Sequence, residues 1–363
     1  MNFLKIYKNK KILITGHTGF KGSWLSIWLN YLGAKVYGIS KSVPTNPSNY
    51  KICSIGGFVE NHEYNIVNYD KFKKTISKIK PDFIFHLAAQ ALVKKSYNFP
   101  KSTFESNSIG TLNLLEALKV TKLKKKCSVI IITSDKSYKN LEIDRGYKEN
   151  DLLGGYDPYS ASKACAELII QSYVKSFFKN NKYINIGVAR AGNVIGGGDW
   201  SDNRLIPDCI RSINKKKILK IRNPKSTRPW QHVLEALSGY LILGENLHRG
   251  KLQNGEVFNF GPNTRKSVSV LEIINKLKKF LPKLKWKVEK NHKEFESKLL
   301  KLNSDKALRK LKWKSVLNNT ETIDFVISWY LNFYSNRKNM FNFSIKQIEL
   351  YSIIMKKRLK GKL

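Results

Sequence analysis

The stretch from residue 11 to residue 41, KILITGHTGFKGSWLSIWLNYLGAKVYGISK, decides the fold. Ile12, Leu13 and Ile14 form a short apolar run that stops at Thr15-Gly16, and apolar residues then recur at helical spacing through Phe20, Trp24, Leu25, Trp28, Leu29 and Leu32. That pattern is strand, tight turn and helix. Gly33 ends the helix and residues 36–39 read as a second strand, which closes a βαβ unit of about 30 residues.

The turn carries Gly16, Gly19 and Gly22, spaced G-x-x-G-x-x-G. Without Cβ atoms the backbone can turn sharply and approach a pyrophosphate, whose charge then sits at the positive end of the following helix. Gly16, Thr18, Gly19, Phe20 and Gly22 are therefore the candidates to hold a dinucleotide. The usual spacing is G-x-G-x-x-G, and the wider first gap resembles the short-chain dehydrogenase/reductase superfamily. An acid about 20 residues on normally binds the adenosine ribose and marks NAD. Here Ser40 and Lys41 stand in its place, and a lysine can meet a 2′-phosphate, so the spacing leaves NAD and NADP both open.

With 363 residues, 42% hydrophobic, the chain can bury a sizeable core. It has no apolar stretch of about 18 residues and no apolar run at its start, which predicts a cytoplasmic protein with no membrane partner. The four cysteines are scattered, a pattern of reduced thiols and neither a disulfide frame nor a metal site. The formal charge of +39 would suit a nucleic-acid partner, yet only 11 of the 66 basic residues are arginine and the lysines are spread evenly. That reads as a solvated lysine-rich surface, with nucleic acid a minor alternative.

Further strands are read at residues 57–60, at Phe83 to His86 and over residues 129–132; an amphipathic helix is read over Tyr69–Ile79 and a long helix over residues 101–120. Asn65-Ile66 falls where the superfamily carries a pair beside the adenine. Leu87, Ala88 and Ala89 follow the fourth strand, small enough at 88 and 89 to let backbone pass under the cofactor. Asn107 matches an asparagine that in the superfamily bends its helix and holds a water near the active site. The fully apolar run Val129 to Ile132 marks a central parallel strand, and it ends in Thr133-Ser134-Asp135-Lys136, at the edge where open α/β sheets bind ligands. Tyr159 and Lys163, four apart, share one face of a later helix.

The fold class is thus α/β, a Rossmann-type doubly wound parallel sheet. Residues 1–190 are expected to form the dinucleotide-binding domain with the catalytic residues, and residues 191–340 mainly a smaller substrate-binding lobe, some of whose segments return to the sheet. Residues 341–363 are read as a basic tail, frayed from Met355 onward.

The motifs GHTGFKGSWLS (16–26), HLAAQ (86–90), TSDKSY (133–138), YSASKACAE (159–167), NVIGGGDW (193–200), DNRLIPD (202–208) and RNPKSTRPWQHV (222–233) together resemble extended short-chain dehydrogenase/reductases, and more narrowly the CDP-glucose 4,6-dehydratase family, over nearly the whole length. The resemblance implies an NAD-dependent hydro-lyase. Tyr159 removes the 4-hydroxyl proton of a nucleotide hexose while hydride leaves carbon 4, water is lost across carbons 5 and 6, and the hydride returns to carbon 6. Lys163 and the positive nicotinamide would favour the phenolate, and Thr133 would hydrogen-bond the same sugar oxygen. Asp135 would protonate the departing hydroxyl. Lys136, where relatives carry glutamate, would be the carbon-5 base if desolvation kept it neutral, or else would stabilise the enolate. Asn193, Arg204, Leu205 and Arg228 are the candidates to hold the substrate, with arginines anchoring its diphosphate. Trp230 reads as a core residue before a base-stacking one. A homodimer or higher homo-oligomer is implied too. The rivals are a 4-epimerase, a dehydratase for another nucleotide sugar, or an inactive nucleic-acid-binding relative.

Overall fold

The computed structural model describes residues 4–228, 230–262, 268–289, 300–335 and 339–360. Its frame is one seven-stranded sheet made of β1 (Lys11–Thr15), β2 (Lys35–Ser40), β3 (Val59–Glu63), β4 (Phe83–His86), β5 (Cys127–Ile132), β6 (Ile184–Ala191) and β7 (Glu256–Phe260). Their order is β7-β6-β5-β4-β1-β2-β3, with every pair parallel. The order reverses between β1 and β4, and register sets Thr15 level with both Ile39 and His86. A crevice therefore opens at the carboxyl edge of these strands, where doubly wound sheets take their ligands.

Strand burial follows from alternation. Ile12 and Ile14 of β1, Phe83 and Phe85 of β4 and Ile130 and Ile132 of β5 enter one apolar core, while Leu13, Ile84, Val129 and Ile131 enter the other. A strand covered on both faces needs the continuous apolar runs seen here. One face is covered by α1 (Phe20–Tyr31), the other by α2 (Tyr69–Ile79), α3 (Gly110–Val120) and α4 (Pro158–Tyr173). Beyond β6 come α5 (Leu205–Asn214) and α6 (Val233–His248), the latter packed on β5, β6 and α1. Short strands Leu219–Ile221 and Trp286–Val288 pair with each other, as do Thr227–Arg228 and Val268–Ser269. No helix of the described residues is long and apolar enough to cross a membrane.

Three local readings are corrected. The third strand starts at Val59, because residues 55–57 close a tight 3-10 turn in front of it. The long helix after residue 100 is broken by a π-helical segment, Glu105–Ile109, between Pro100–Phe104 and α3. The C-terminal stretch is no frayed tail. After α7 (Asn319–Ser335) it forms α8 (Met340–Lys360), whose Ile348, Tyr351 and Met355 lie on one apolar face and are buried. Lysines on the other face hid that periodicity; the helix packs on α1, with Tyr351 edge-on to Trp28.

A buried carboxyl fastens this helix to the body. Glu235, 1% exposed, accepts hydrogen bonds from Val316 N (2.8 Å), Leu317 N (2.5 Å) and Tyr351 Oη (2.9 Å). Burial pushes it up to about 7 from an ordinary 4.5. A carboxyl raised on folding favours the fold while protonated, and that contribution fades as pH climbs through the window from 4.5 to about 7. Urea unfolding should show wild type losing roughly 3 kcal/mol relative to Glu235→Gln across that window. Parallel pH profiles for the two proteins would contradict it.

Candidate active site

The glycine turn is a cradle that side chains would fill. Gly16 has φ +79°, and a Cβ there would lie 2.8 Å from Ala88 N; a Cβ on Gly22 would lie 2.1 Å from Gly16 O and one on Gly19 3.3 Å from it. Ala88 N donates to Thr15 Oγ1 at 3.1 Å, so the backbone of Leu87, Ala88 and Ala89 is held against the turn. Phe20 opens the 12-residue α1, whose first amides point into the crevice with no partner inside the helix. These features fit the pyrophosphate of a dinucleotide.

Around the cradle, Thr18 donates its hydroxyl to Ser42 O (2.7 Å) and its amide to Ser40 Oγ (3.4 Å). Ser40 is buried at the end of β2 with its hydroxyl 3.2 Å from His17 Nδ1, while Lys41 is exposed. Asn65 folds back to accept from Val67 N at 3.3 Å, and Ile66 is buried against Gly110, where a Cβ would lie 2.4 Å from Ile66 Cδ1.

Tyr159 and Lys163 sit in the first two turns of α4, a helix started by Pro158 and capped by Asp157, whose Oδ1 accepts from Ser160 N at 3.0 Å. Both are buried, and Lys163 Nζ donates to Ile132 O at 3.3 Å. Asn107 lies in the π-helical segment and donates to Gln90 O (3.1 Å) and Ser162 Oγ (2.9 Å) while accepting from Gln90 N (2.8 Å), which ties that segment to α4 and to the loop after β4. Burial pushes the Tyr159 phenol up to about 12; a hydrogen bond with Ser134 and the charge of Arg204 work against the rise, and Asp135 adds to it. Lys163 is lowered to about 8 by burial, with Glu167 opposing.

The Thr133 hydroxyl bonds Glu167, while the hydroxyl bonded to Tyr159 is that of Ser134. Backbone at Ser134 is extended (φ −156°, ψ 155°), so consecutive side chains leave on different sides. Thr133 Oγ1 donates to Glu167 Oε1 at 2.7 Å, joining a fully buried pair of Glu167 with Arg190 that also receives Ser137 Oγ at 3.0 Å. Ser134 faces Tyr159 and donates to Asp135 Oδ1 at 3.0 Å. The hydroxyl next to the phenol is therefore that of Ser134, missed because a threonine ending the apolar run drew the reading. Glu167 carried a signal, standing four residues after Lys163 on the same helix.

Lys136 is half-buried and lines a small pocket with Tyr138, Asn140, Tyr156, Asp157 and Ser160, the last two flanking Tyr159 on the chain. Lys21, inside the glycine turn, has its Nζ 5.9 Å from the centre of the Tyr240 ring, and burial with the charges of Lys163 and Arg204 lowers it to about 7 while Asp135 opposes. A lysine between Phe20 and Gly22, where a pyrophosphate cradle needs no side chain, was the available signal.

Of the candidate substrate contacts, Arg204 donates to Asp199 Oδ2 at 3.0 Å and acts on both Tyr159 and Lys21, while Leu205 begins α5. Asn193 O accepts from Gln231 N at 3.1 Å. The side chain of Arg228 lies outside the described residues. Trp230 is buried with its indole donating to Val268 O at 3.1 Å, a core residue.

The family model described as GDP-mannose 4,6 dehydratase matches residues 13–325. A CDP-glucose 4,6-dehydratase of Salmonella typhimurium is 42% identical over 330 residues, 89% of this chain and 91% of that protein. In fold, a UDP-glucose 4-epimerase of Thermotoga maritima solved with UDP-glucose is similar with a TM-score of 0.77 at 20% identity, covering 89% of this chain and 99% of that one. A dTDP-glucose 4,6-dehydratase of Bacillus anthracis in complex with NAD gives 0.73 at 22%, covering 89% and 97%. Glycine cradle, helix-borne tyrosine and lysine, and matches over most of the sequence agree: the chain belongs to the GDP-mannose 4,6 dehydratase family, on the extended short-chain dehydrogenase/reductase fold.

Proposed function

We propose that this chain is a nucleotide-sugar 4,6-dehydratase that turns CDP-glucose into CDP-4-keto-6-deoxyglucose with NAD. The observation that carries the reading is the meeting of Tyr159, Ser134 and Asp135 at the carboxyl edge of the sheet, close to the glycine cradle. An epimerase needs a proton acceptor at one hydroxyl; losing water needs an acid as well, and Asp135 supplies a carboxyl in the same cluster. The CDP assignment draws on the 42%-identical relative.

Gly16, Gly19 and Gly22 would hold the dinucleotide, which when bound supplies the hydride acceptor and donor. Tyr159 receives the proton of the 4-hydroxyl, and Ser134 orients both that hydroxyl and Asp135. Lys163, neutral or charged near its midpoint of about 8, sets the polarity under the sugar. Asp135 then gives its proton to the departing 6-hydroxyl. Arg204 and Asn193 are the residues we assign to the diphosphate of the substrate. NAD is the cofactor we assign, and the missing acid at Ser40 removes the usual repulsion of a 2′-phosphate. The free thiols of Cys53, Cys127 and Cys209 suit a reducing cytoplasm.

Incubation with CDP-, dTDP-, UDP- and GDP-glucose, each with NAD or NADP, should yield the alkali-induced keto-deoxysugar chromophore best with CDP-glucose and NAD. A C4 epimer or no reaction in every case would sink the proposal. Tyr159→Phe should slow reduction of bound cofactor by about 10² to 10⁴. Ser134→Ala should slow the same step by roughly 10², whereas Thr133→Ala should lower thermal stability with smaller effect on that step; the reverse pattern would restore Thr133 to the site.

The exposed apolar side chains Phe104, Ile109, Leu168 and Phe177 lie on neighbouring elements of one helical layer, and we assign that layer to a homodimer. Light scattering should give twice the chain mass, and Leu168→Asp with Ile109→Asp should give monomer. A wild-type monomer at micromolar concentration would contradict this.

A further inference from the structure

Lysine runs through the whole chain, yet two stretches differ from the rest. KKKILKIRNPK (215–225) and KLKKFLPKLKWK (276–287) each carry six cations and no acid, against 66 basic and 27 acidic residues in all 363. The fold brings them together. Strands Leu219–Ile221 and Trp286–Val288 pair in parallel with Lys220 opposite Lys287, and Leu219 N donates to Lys285 O at 2.8 Å. Paired residues leave a sheet on the same side, so Lys220 and Lys287 project together while Leu219 and Ile221 turn into the core. Like charges set opposite each other weaken a sheet. Among the described residues the lysines of these stretches make one ion pair, Lys220 with Glu289 at 3.6 Å, and both of its partners are exposed. Lys215, Lys216 and Lys217 at the end of α5, and Lys283 and Lys285 before the second strand, are exposed as well. Ile218, Phe280 and Val288, each about half exposed, stand among them. The patch is apart from the crevice, because α5, ten residues and about 15 Å long, leads from Arg204 in the site to Lys215.

We infer that this edge of the molecule docks on the surface of an anionic phospholipid bilayer. Lysine stems lie along apolar surface while their ammonium groups reach lipid phosphates, and Ile218, Phe280 and Val288 are placed among them to enter the boundary between headgroups and acyl chains. Each lysine brought to an anionic surface strengthens binding about fivefold. Mutual repulsion of Lys220 and Lys287 is relieved by the same contact. Nucleic acid suits the patch less well, since its binding surfaces use arginine forks and open aromatic faces on which bases stack. Here Arg222 is the one arginine of the two stretches, and Trp286 is half-buried on its strand. The expectation of no membrane partner rested on the lack of a crossing segment, and a surface contact needs none. The inference holds whichever nucleotide sugar the crevice takes.

The test is co-sedimentation of the full chain with vesicles of phosphatidylcholine alone, or of phosphatidylcholine and phosphatidylglycerol in equal parts, at low and high salt. Wild type is expected on the anionic vesicles alone and to leave them as salt screens the contact. Lys217→Gln with Lys220→Gln and Lys287→Gln is expected to bind them about 100-fold more weakly. Lys71→Gln with Lys74→Gln and Lys78→Gln removes the same charge from α2 and is expected to change binding by less than about threefold. Ile218→Ser with Phe280→Ser is expected to weaken it about tenfold. A measurement on wild type needs no variant to fold: acetylation of its lysines, read by mass spectrometry, is expected to show vesicle protection at Lys217, Lys220 and Lys287 and none at Lys71 and Lys74. Equal weakening in the two triple variants would trace binding to net charge and overturn the inference, as would protection spread over all lysines or no sedimentation with anionic vesicles. It is overturned too if the patch variant still sediments with them while losing polyuridylate, or while its KM for CDP-glucose rises, results that assign the patch to nucleic acid or to substrate steering.

Discussion

The approach of Gly16 to the backbone of Ala88, close enough that a Cβ would collide at 2.8 Å, is the constraint on which the site depends. It joins the carboxyl ends of β1 and β4 at the point where strand order reverses, and so fixes the crevice. Gly22, whose missing Cβ would press on Gly16 O at 2.1 Å, then lets α1 begin directly under that crevice. From the other wall β5 delivers Ser134 and Asp135, and α4 delivers Tyr159 and Lys163. The chemistry is assembled by one contact between strands far apart in sequence, Gly16 with Ala88, and one within the glycine turn, Gly22 with Gly16, each permitted by a missing Cβ.

A second constraint lies behind the first. The buried Glu167–Arg190 pair gathers hydroxyls from Thr133 and Ser137, and the Arg190 guanidinium stacks 4.4 Å from the centre of the Tyr138 ring. An ion pair removed from water is costly unless its remaining hydrogen bonds are filled, as they are here. Its effect is to clamp the loop after β5 against α4, which holds Ser134 at the phenol. Asn107 does the same from the opposite side, through Gln90 and Ser162.

How much of this was legible in the chain depends on the range of the interaction concerned. The glycine turn, the apolar runs of β1 and β5 and the four-residue spacing of Tyr159 and Lys163 are local patterns, and the seven-stranded parallel sheet follows from them. What could not be read locally is which way a side chain leaves the end of a strand. Thr133 and Ser134 are neighbours with similar hydroxyls, and only the position of Glu167 and Arg190 decides which of them reaches Tyr159. The last helix was hidden for a different reason. Its lysines masked an apolar stripe that has meaning only against Trp28 of α1.

The central claim is that one site borrows hydride from carbon 4 and gives it back to carbon 6 of the same sugar. CDP-glucose labelled with deuterium at carbon 4 tests this directly, with the product read by NMR and mass spectrometry in the presence of excess unlabelled NAD. The account predicts deuterium in the carbon 6 methyl group of the 4-keto product, on the same molecule that lost it. Label retained at carbon 4 of an epimer, or released into the pool of free reduced cofactor, would contradict it.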